Sequence, residues 1–384
     1  MHYKWLFTIC SLLITSLQIQ AKEVNLSNES EVYLLTCSSG EELYSVFGHS
    51  AIRVKDDSLG IDLVFNYGTF DFDTPNFYGK FMNGDLNYML SYTTFDRFIY
   101  SYKHDMRGVS CGKLDMTYEE RDALWQLLLD NIKPQNKYYR YDFFFDNCAT
   151  RIRDIIFKVK NIDIDRYSKT SGRTYRDYLH ALAGETSWKS QGVDLVLGIK
   201  ADRIASLYER AYIPLYLDSL FHEAGLVSAE IDLLSKKTNE NSSIFDYFTP
   251  NVFSILLLLV SIFLFGIEYR RKKYYIVFDI LIFTSSVLVG LLLLYLGLLT
   301  KHTITEWNLN CLWASLLYIP ILYFLIVKKI KSNNYLHWMS FVNNLILLVL
   351  FLLSALGVQS IPTMSYYIAG VLFVRNSSIY RFSK

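Results

Sequence analysis

The chain has almost no excess of charge. Its 384 residues carry 38 Lys and Arg against 37 Asp and Glu, a net charge of +1 with a pI near 7.6. That argues against a nucleic-acid partner, which needs a strongly basic face. Cysteine is scarce as well. Of five residues, Cys10 falls in the leading apolar segment and Cys311 in an apolar run of the tail. Cys37, Cys111 and Cys148 are left, and Cys37 with Cys111 is the candidate exported disulfide, which spacing alone does not establish. No cysteine pair has zinc-ligand spacing, and nothing in the sequence calls for a metal or a cofactor. Internal repeats and low-complexity linkers are absent; the polar stretch 236–243 reads as a hinge.

Long apolar runs, by contrast, are abundant at one end. The first residues form a targeting segment: His2 and Lys4 give a basic start, Leu6 to Leu17 is too short to span a bilayer, and Ile19-Gln20-Ala21 offers a cleavage site, so 1–21 is expected to be a signal peptide. Residues 22–247 are mixed and aromatic-rich, enough for one substantial core. Residues 248–384 form an apolar membrane domain, with spans expected near 252–269, 274–299, 309–327, 336–357 and 361–374. Basic clusters follow the first, third and fifth spans: Arg270 to Lys273, then Lys328, Lys329 and Lys331, then Arg375, Arg381 and Lys384. Lys301 is the only Lys or Arg in the other loops. The positive-inside rule puts the clusters in the cytoplasm and 22–247 outside, in agreement with the leader. The expectation is a multi-pass membrane protein with an exported N-terminal domain.

Two residues in that domain carry chemistry. His49 follows Gly48 at the start of an apolar run, Ala51 to Val54; Asp56 to Gly60 is turn chemistry, and Leu63 to Tyr67 is a second strand. A hairpin closed there brings His49 opposite Asn66 or Tyr67. Cys148 follows an extended aromatic stretch, Tyr138 to Phe145. Asp146 or Asn147 can cap a helix whose apolar positions Ile152, Ile155, Ile156 and Val159 recur at helical spacing. The thiol then sits on a first turn, where unpaired N–H groups favour a thiolate. A helix-start thiol facing a strand histidine is the papain-like arrangement, with the histidine here first in the chain. Asn66 is the candidate third member of a Cys-His-Asn set, with turn or strand-edge bonding as the other account of it. Asp71 and Asp146 compete for orienting or capping roles, and Arg53 and Arg151 are expected in ion pairs. Residues 301–308, on the same side as the domain, form a candidate headgroup patch through His302 and Glu306.

Residues 42–54, Asn66-Tyr67-Gly68-Thr69-Phe70-Asp71, Phe145 to Arg151 and Asp194-Leu195-Val196-Leu197-Gly198 resemble the Lnb family of bacterial lipoprotein N-acyltransferases. The resemblance spans essentially the whole exported domain. The His-then-Cys order is also similar to permuted NlpC-type and lecithin:retinol acyltransferase folds. The implied fold is α+β and papain-like (permuted NlpC-type), followed by an all-α domain of about five transmembrane helices. The implied activity moves an acyl chain from a phospholipid, through a Cys148 thioester with His49 as base, to the α-amine of a diacylglyceryl-cysteine lipoprotein. An exported NlpC-type peptidase or amidase acting on peptidoglycan, and a non-enzymatic membrane scaffold, are the alternatives.

Overall fold

Strand-forming residues alternate along 31–69, and a computed structural model shows them as three consecutive antiparallel strands: β1 Glu31–Cys37, β2 His49–Asp56 and β3 Ile61–Thr69. Residues 24–236 and 247–384 are described, apart from 41, 43, 44, 184 and 185. The expected signal peptide and nearly all of the polar hinge therefore lie outside the described residues. Helix α1 (Phe77–Asn83), β4 (Asn87–Thr94), α2 (Phe95–His104), β5 (Val109–Leu114), α3 (Tyr118–Asn131), β6 (Tyr138–Arg140) and α4 (Cys148–Val159) follow. Then come β7 (Thr170–Thr174), α5 (Tyr175–Ala183), α6 (Trp188–Val196), β8 (Ile204–Ser206), α7 (Pro214–Glu223) and β9 (Val227–Leu234).

Seven strands form one antiparallel sheet in the order β6-β4-β3-β2-β1-β5-β9, and β7 pairs with β8 separately. Period-two alternation buries both faces of this sheet. Leu34, Ile52, Val54 and Phe65 pack against Leu124 and Leu128 of α3, Ile152 and Ile156 of α4, and Leu217 and Phe221 of α7. Their chain neighbours Leu35, Ala51 and Val64 pack on the other side with Phe98 of α2. The exported domain is α+β, as expected. The candidate Cys37–Cys111 disulfide, which spacing left open, is not formed: both are free thiols. Cys111 pairs directly with Leu35, whereas Cys37 faces Val109, so the two cysteines sit diagonally across the ladder, a wider separation than a bridge spans.

Among the described residues three C-terminal helices are long and apolar enough to cross a membrane: α8 (Pro250–Arg271), α9 (Ile276–Leu299) and, after α10 (Tyr318–Ile326), α11 (Asn334–Ala355). The expected span at 309–327 is not one continuous helix. It consists of a 3-10 turn, Leu309–Leu312, and the nine-residue α10, which at 1.5 Å per residue covers roughly 14 Å. Asn310 is the reason. Its buried side chain donates to Asn308 Oδ1 and Leu195 O and accepts from Trp313 Nε1 at 2.9 Å, which holds the backbone irregular where protein covers it. The last expected span, 361–374, runs on as α12 (Thr363–Phe382). Arg375, expected in the cytoplasmic basic cluster after the fifth span, is instead fully buried in α12 between Glu268 and Asp279. Pairing with two carboxylates is what lets a charge stand there.

Candidate active site

The start of α4 is over-determined. Asp142 and Asp146 exchange backbone bonds at 3.0 Å, and Asp142 Oδ1 accepts from Phe144 N and Phe145 N. The resulting turn delivers Asn147, not Asp146, as the cap. Asn147 Oδ1 accepts from Ala149 N and Thr150 N at 2.9 Å, while Nδ2 donates to Phe143 O and Tyr212 O at 2.7 and 2.8 Å. Asp146 is engaged elsewhere, in an ion pair with Arg151, whose guanidinium lies 3.5 Å from the centroid of the Tyr139 ring. Cys148 is the first helical residue and is buried.

The sheet opens where the thiol arrives. β2 pairs with β1 as far as His49, but its ladder with β3 ends at Ile52–Phe65. Continuing that register sets His49 across from Gly68, a residue or two beyond the expected Asn66 or Tyr67. Asn66 still reaches the ring because it shares the face of Gly68: His49 Nε2 lies 3.2 Å from Asn66 Oδ1. Gly68 has φ +82°, and a Cβ there would stand 3.5 Å from Cys148 Cβ and 3.3 Å from the Tyr141 ring. The positive φ favours glycine, and a side chain would add a tight contact with the Tyr141 ring. The end of β3 thus packs against the nucleophile candidate, and the backbone N–H of Ser50, next to His49, is directed at its sulfur.

Burial dominates the electrostatics. It pushes the Cys148 thiol above its ordinary value, although N–H groups of Ser50, Ala149 and Cys148 itself favour the thiolate. It pushes His49 down to about 4, against the opposing bond to Asn66. The helix-start donors do favour a thiolate, as expected, but desolvation outweighs them, and burial favours the neutral form of both the thiol and the imidazole.

Two further groups escape a reading of the sequence. Arg107 is held by Ser38 O at 3.0 and 2.8 Å, and its charge reaches both His49 and Cys148. Among the described residues the buried hydroxyl of Tyr139 finds no acceptor; its polar neighbour is the backbone N–H of Gly68, which can only donate, and the hydroxyl would stand 3.8 Å from a Cβ there. A free O–H donor beside the thiol is a signal only three dimensions can give. The remaining candidates have ordinary partners. Arg53 forms a two-pronged pair with Asp62 at 2.7 Å, and Asp71 accepts from Asp73 N in an exposed turn. His302 and Glu306 meet Phe81 O at 3.2 Å and Lys200 at 2.9 Å, which accounts for both without a lipid headgroup. Asp218, His222 and Glu230 hold potential metal-ligand atoms within 4.8 Å of one another, though His222 and Glu230 are explained as an ion pair at 2.9 Å.

The motif at 194–198 docks the domain on its membrane partner. Gly198 N donates to Ile304 O at 2.7 Å, and Leu195 O and Leu197 O accept from Asn308 and Gln359 at 2.8 and 2.9 Å. Arg176 pins the segment from beneath through Asp194 and Asp202. Thr303 donates to Asp142 Oδ2 at 2.7 Å, so a membrane-domain loop bonds directly to the turn that presents Cys148.

These features define a membrane protein in which an exported α+β domain with a helix-start thiol is seated on a helical, multi-pass domain. Residues 18–180 match the family model described as the Lnb N-terminal periplasmic domain, and residues 239–384 match the Lnb transmembrane domain, a model whose label specifies five transmembrane helices. The chain belongs to the Lnb family, with a periplasmic N-terminal domain and an inner-membrane location. No curated protein and no solved structure matches it.

Proposed function

We propose that the protein is a lipoprotein N-acyltransferase with a papain-like thiol site, using Cys148 as nucleophile, His49 as base and Asn66 to orient the base. What carries this reading is a capped helix-start thiol, contacted by Gly68 and by the N–H of Ser50, within one residue of a histidine fixed by an asparagine. Membrane anchoring puts phospholipid within reach of the exported domain.

In the first half-reaction His49 takes the Cys148 proton as the sulfur attacks a phospholipid acyl ester. The tetrahedral oxyanion meets the Cys148 N–H and the free O–H of Tyr139. The C–O bond then breaks, and the imidazolium returns its proton to the departing lysophospholipid. In the second, the α-amine of a diacylglyceryl-cysteine attacks the thioester, His49 accepts an amine proton, and the thiol is regenerated as the amide forms. No cofactor enters either step. Because the resting pair is neutral, proton transfer accompanies attack rather than preceding it. Mass spectrometry of lipoprotein N-termini from cells with and without the protein tests the reading: N-acylated termini are expected only with it, and their persistence in its absence argues against it.

A further inference from the structure

The segment after β3 presents its aromatic residues to the outside. Phe72 and Tyr78 are 65% and 78% exposed, Phe81 and Met82 are exposed too, and α1 buries no residue. Single exposed aromatics are ordinary, but a contiguous set is not. This set is tied to the end of a membrane span. Asn83 O accepts from Lys301 N at 2.8 Å, Asn83 Oδ1 accepts from Tyr295 OH, and Lys301 pairs with Asp85. Tyr295 and the exposed Leu298 and Leu299 close α9, whose length and apolar character fit it to cross the bilayer. The exposed face of α1 is therefore held where α9 leaves the hydrocarbon, on the side of the periplasmic domain.

From that face a track of rings leads inward. Phe72 meets Phe70 with centroids 5.0 Å apart, Phe70 meets Tyr88 at 5.4 Å, and Tyr88 stacks on Tyr141 at 4.4 Å. Tyr141 and Cys148 flank Gly68 together. A continuous run of packed rings joins the exposed aromatics to the thiol.

We infer that residues 70–82 form a lip that inserts into the outer leaflet of the inner membrane and passes a phospholipid acyl chain along Phe70, Tyr88 and Tyr141 to Cys148. The inference rests on the acyl-transfer reading for its destination but not for its membrane contact. Such contact follows from exposed apolar area placed at the headgroup boundary, as for interfacial helices.

The test uses the full chain in phospholipid nanodiscs, with photoreactive benzoylphenylalanine introduced in turn at Phe72, Tyr78, Leu288 in the middle of α9, and Leu59 at the opposite end of β3. Phospholipid adducts are expected at 72, 78 and 288, and none at 59. Adducts at 288 alone, or adducts at 72 and 78 with a second copy of the chain in place of lipid, overturn the inference. The same crosslinks are expected in Cys148→Ala protein, where membrane contact is read without any acyl transfer. A functional arm follows the path itself. In Phe72→Ser/Tyr78→Ser protein, acyl-enzyme formation from bilayer phospholipid is expected to fall by about tenfold or more, while acylation by a water-soluble short-chain thioester is unchanged. Equal loss with both donors, or with neither, contradicts the lip's role in lipid entry.

Discussion

His49 Nε2 and Asn66 Oδ1 stand 3.2 Å apart, and Asn66 Nδ2 is itself engaged with Val64 O. A carbonyl oxygen only accepts, so this contact calls for the tautomer with the proton on Nε2, which leaves the Nδ1 lone pair for the proposed role as base. Asn66→Ala should leave the protein folded and slow acyl transfer by about 10–100-fold through loss of ring orientation. Asn66→Asp should shift the acid limb of the pH–rate profile upward, because a buried carboxylate raises the pKa of the imidazole it faces. An unmoved limb in Asn66→Asp would sever the link between the two residues.

Burial of His49 also has a pH signature. Its folded pKa of about 4 lies below the usual 6.5, so the base stays neutral, and transfer should persist well below pH 6. The sign for stability follows: the unfolded chain binds a proton that the folded chain refuses between those values. This stabilising contribution is complete above about pH 6.5 and is lost as pH falls toward 4. Iodoacetamide labelling of Cys148 should still be rising with pH above neutrality, since burial holds the thiol above its ordinary value. A labelling plateau near pH 5 would reveal a preformed ion pair and contradict the assignment.

The free O–H of Tyr139 makes a separate prediction. Tyr139→Phe should reduce the rate of acyl-enzyme formation by about 10²-fold, as expected of one lost oxyanion donor, and leave iodoacetamide alkylation of Cys148, which builds no oxyanion, near the wild-type rate. A parallel fall in both would make the tyrosine a structural prop.

Gly198 sits at the dock between the two domains, where an added Cβ would lie 1.8 Å from Glu306 O. Gly198→Ala should therefore push the 301–308 loop away and cost about 2 kcal/mol or more. Lower thermal stability in detergent and faster proteolysis of that loop would report it. An undisturbed melting profile would show that the dock tolerates displacement.

Much of this site is legible in the sequence, for definite reasons. The helix start at Cys148 announces itself through Asn147 and the spacing of Ile152, Ile155 and Ile156, because capping and amphipathic periodicity are local properties. The β2–β3 hairpin is legible from the turn at 56–60 in the same way. Register is not local: the β2–β3 ladder ends at Ile52 where Cys148 of α4, far along the chain, packs against Gly68, so sequence only brackets the partner of His49. Arg107 and Tyr139 reach the site through tertiary packing and leave no pattern. Desolvation of Cys148 likewise depends on what surrounds it, so a helix start read alone overstates its acidity. In the tail, hydropathy finds the three long helices but does not show that 309–327 is interrupted or that α12 runs on past 374. Asn310 and Arg375 are satisfied there by partners distant in sequence.

The acyl-enzyme itself is the most direct test of the central claim. Full-length protein incubated with phospholipid and no lipoprotein should gain the mass of one fatty acyl group on Cys148, released by neutral hydroxylamine and absent in Cys148→Ala and His49→Ala. The double variant should be no worse than either single one. Intact-protein mass spectrometry that finds no adduct with any donor, while lipoprotein acylation proceeds, would remove Cys148 from the nucleophile role.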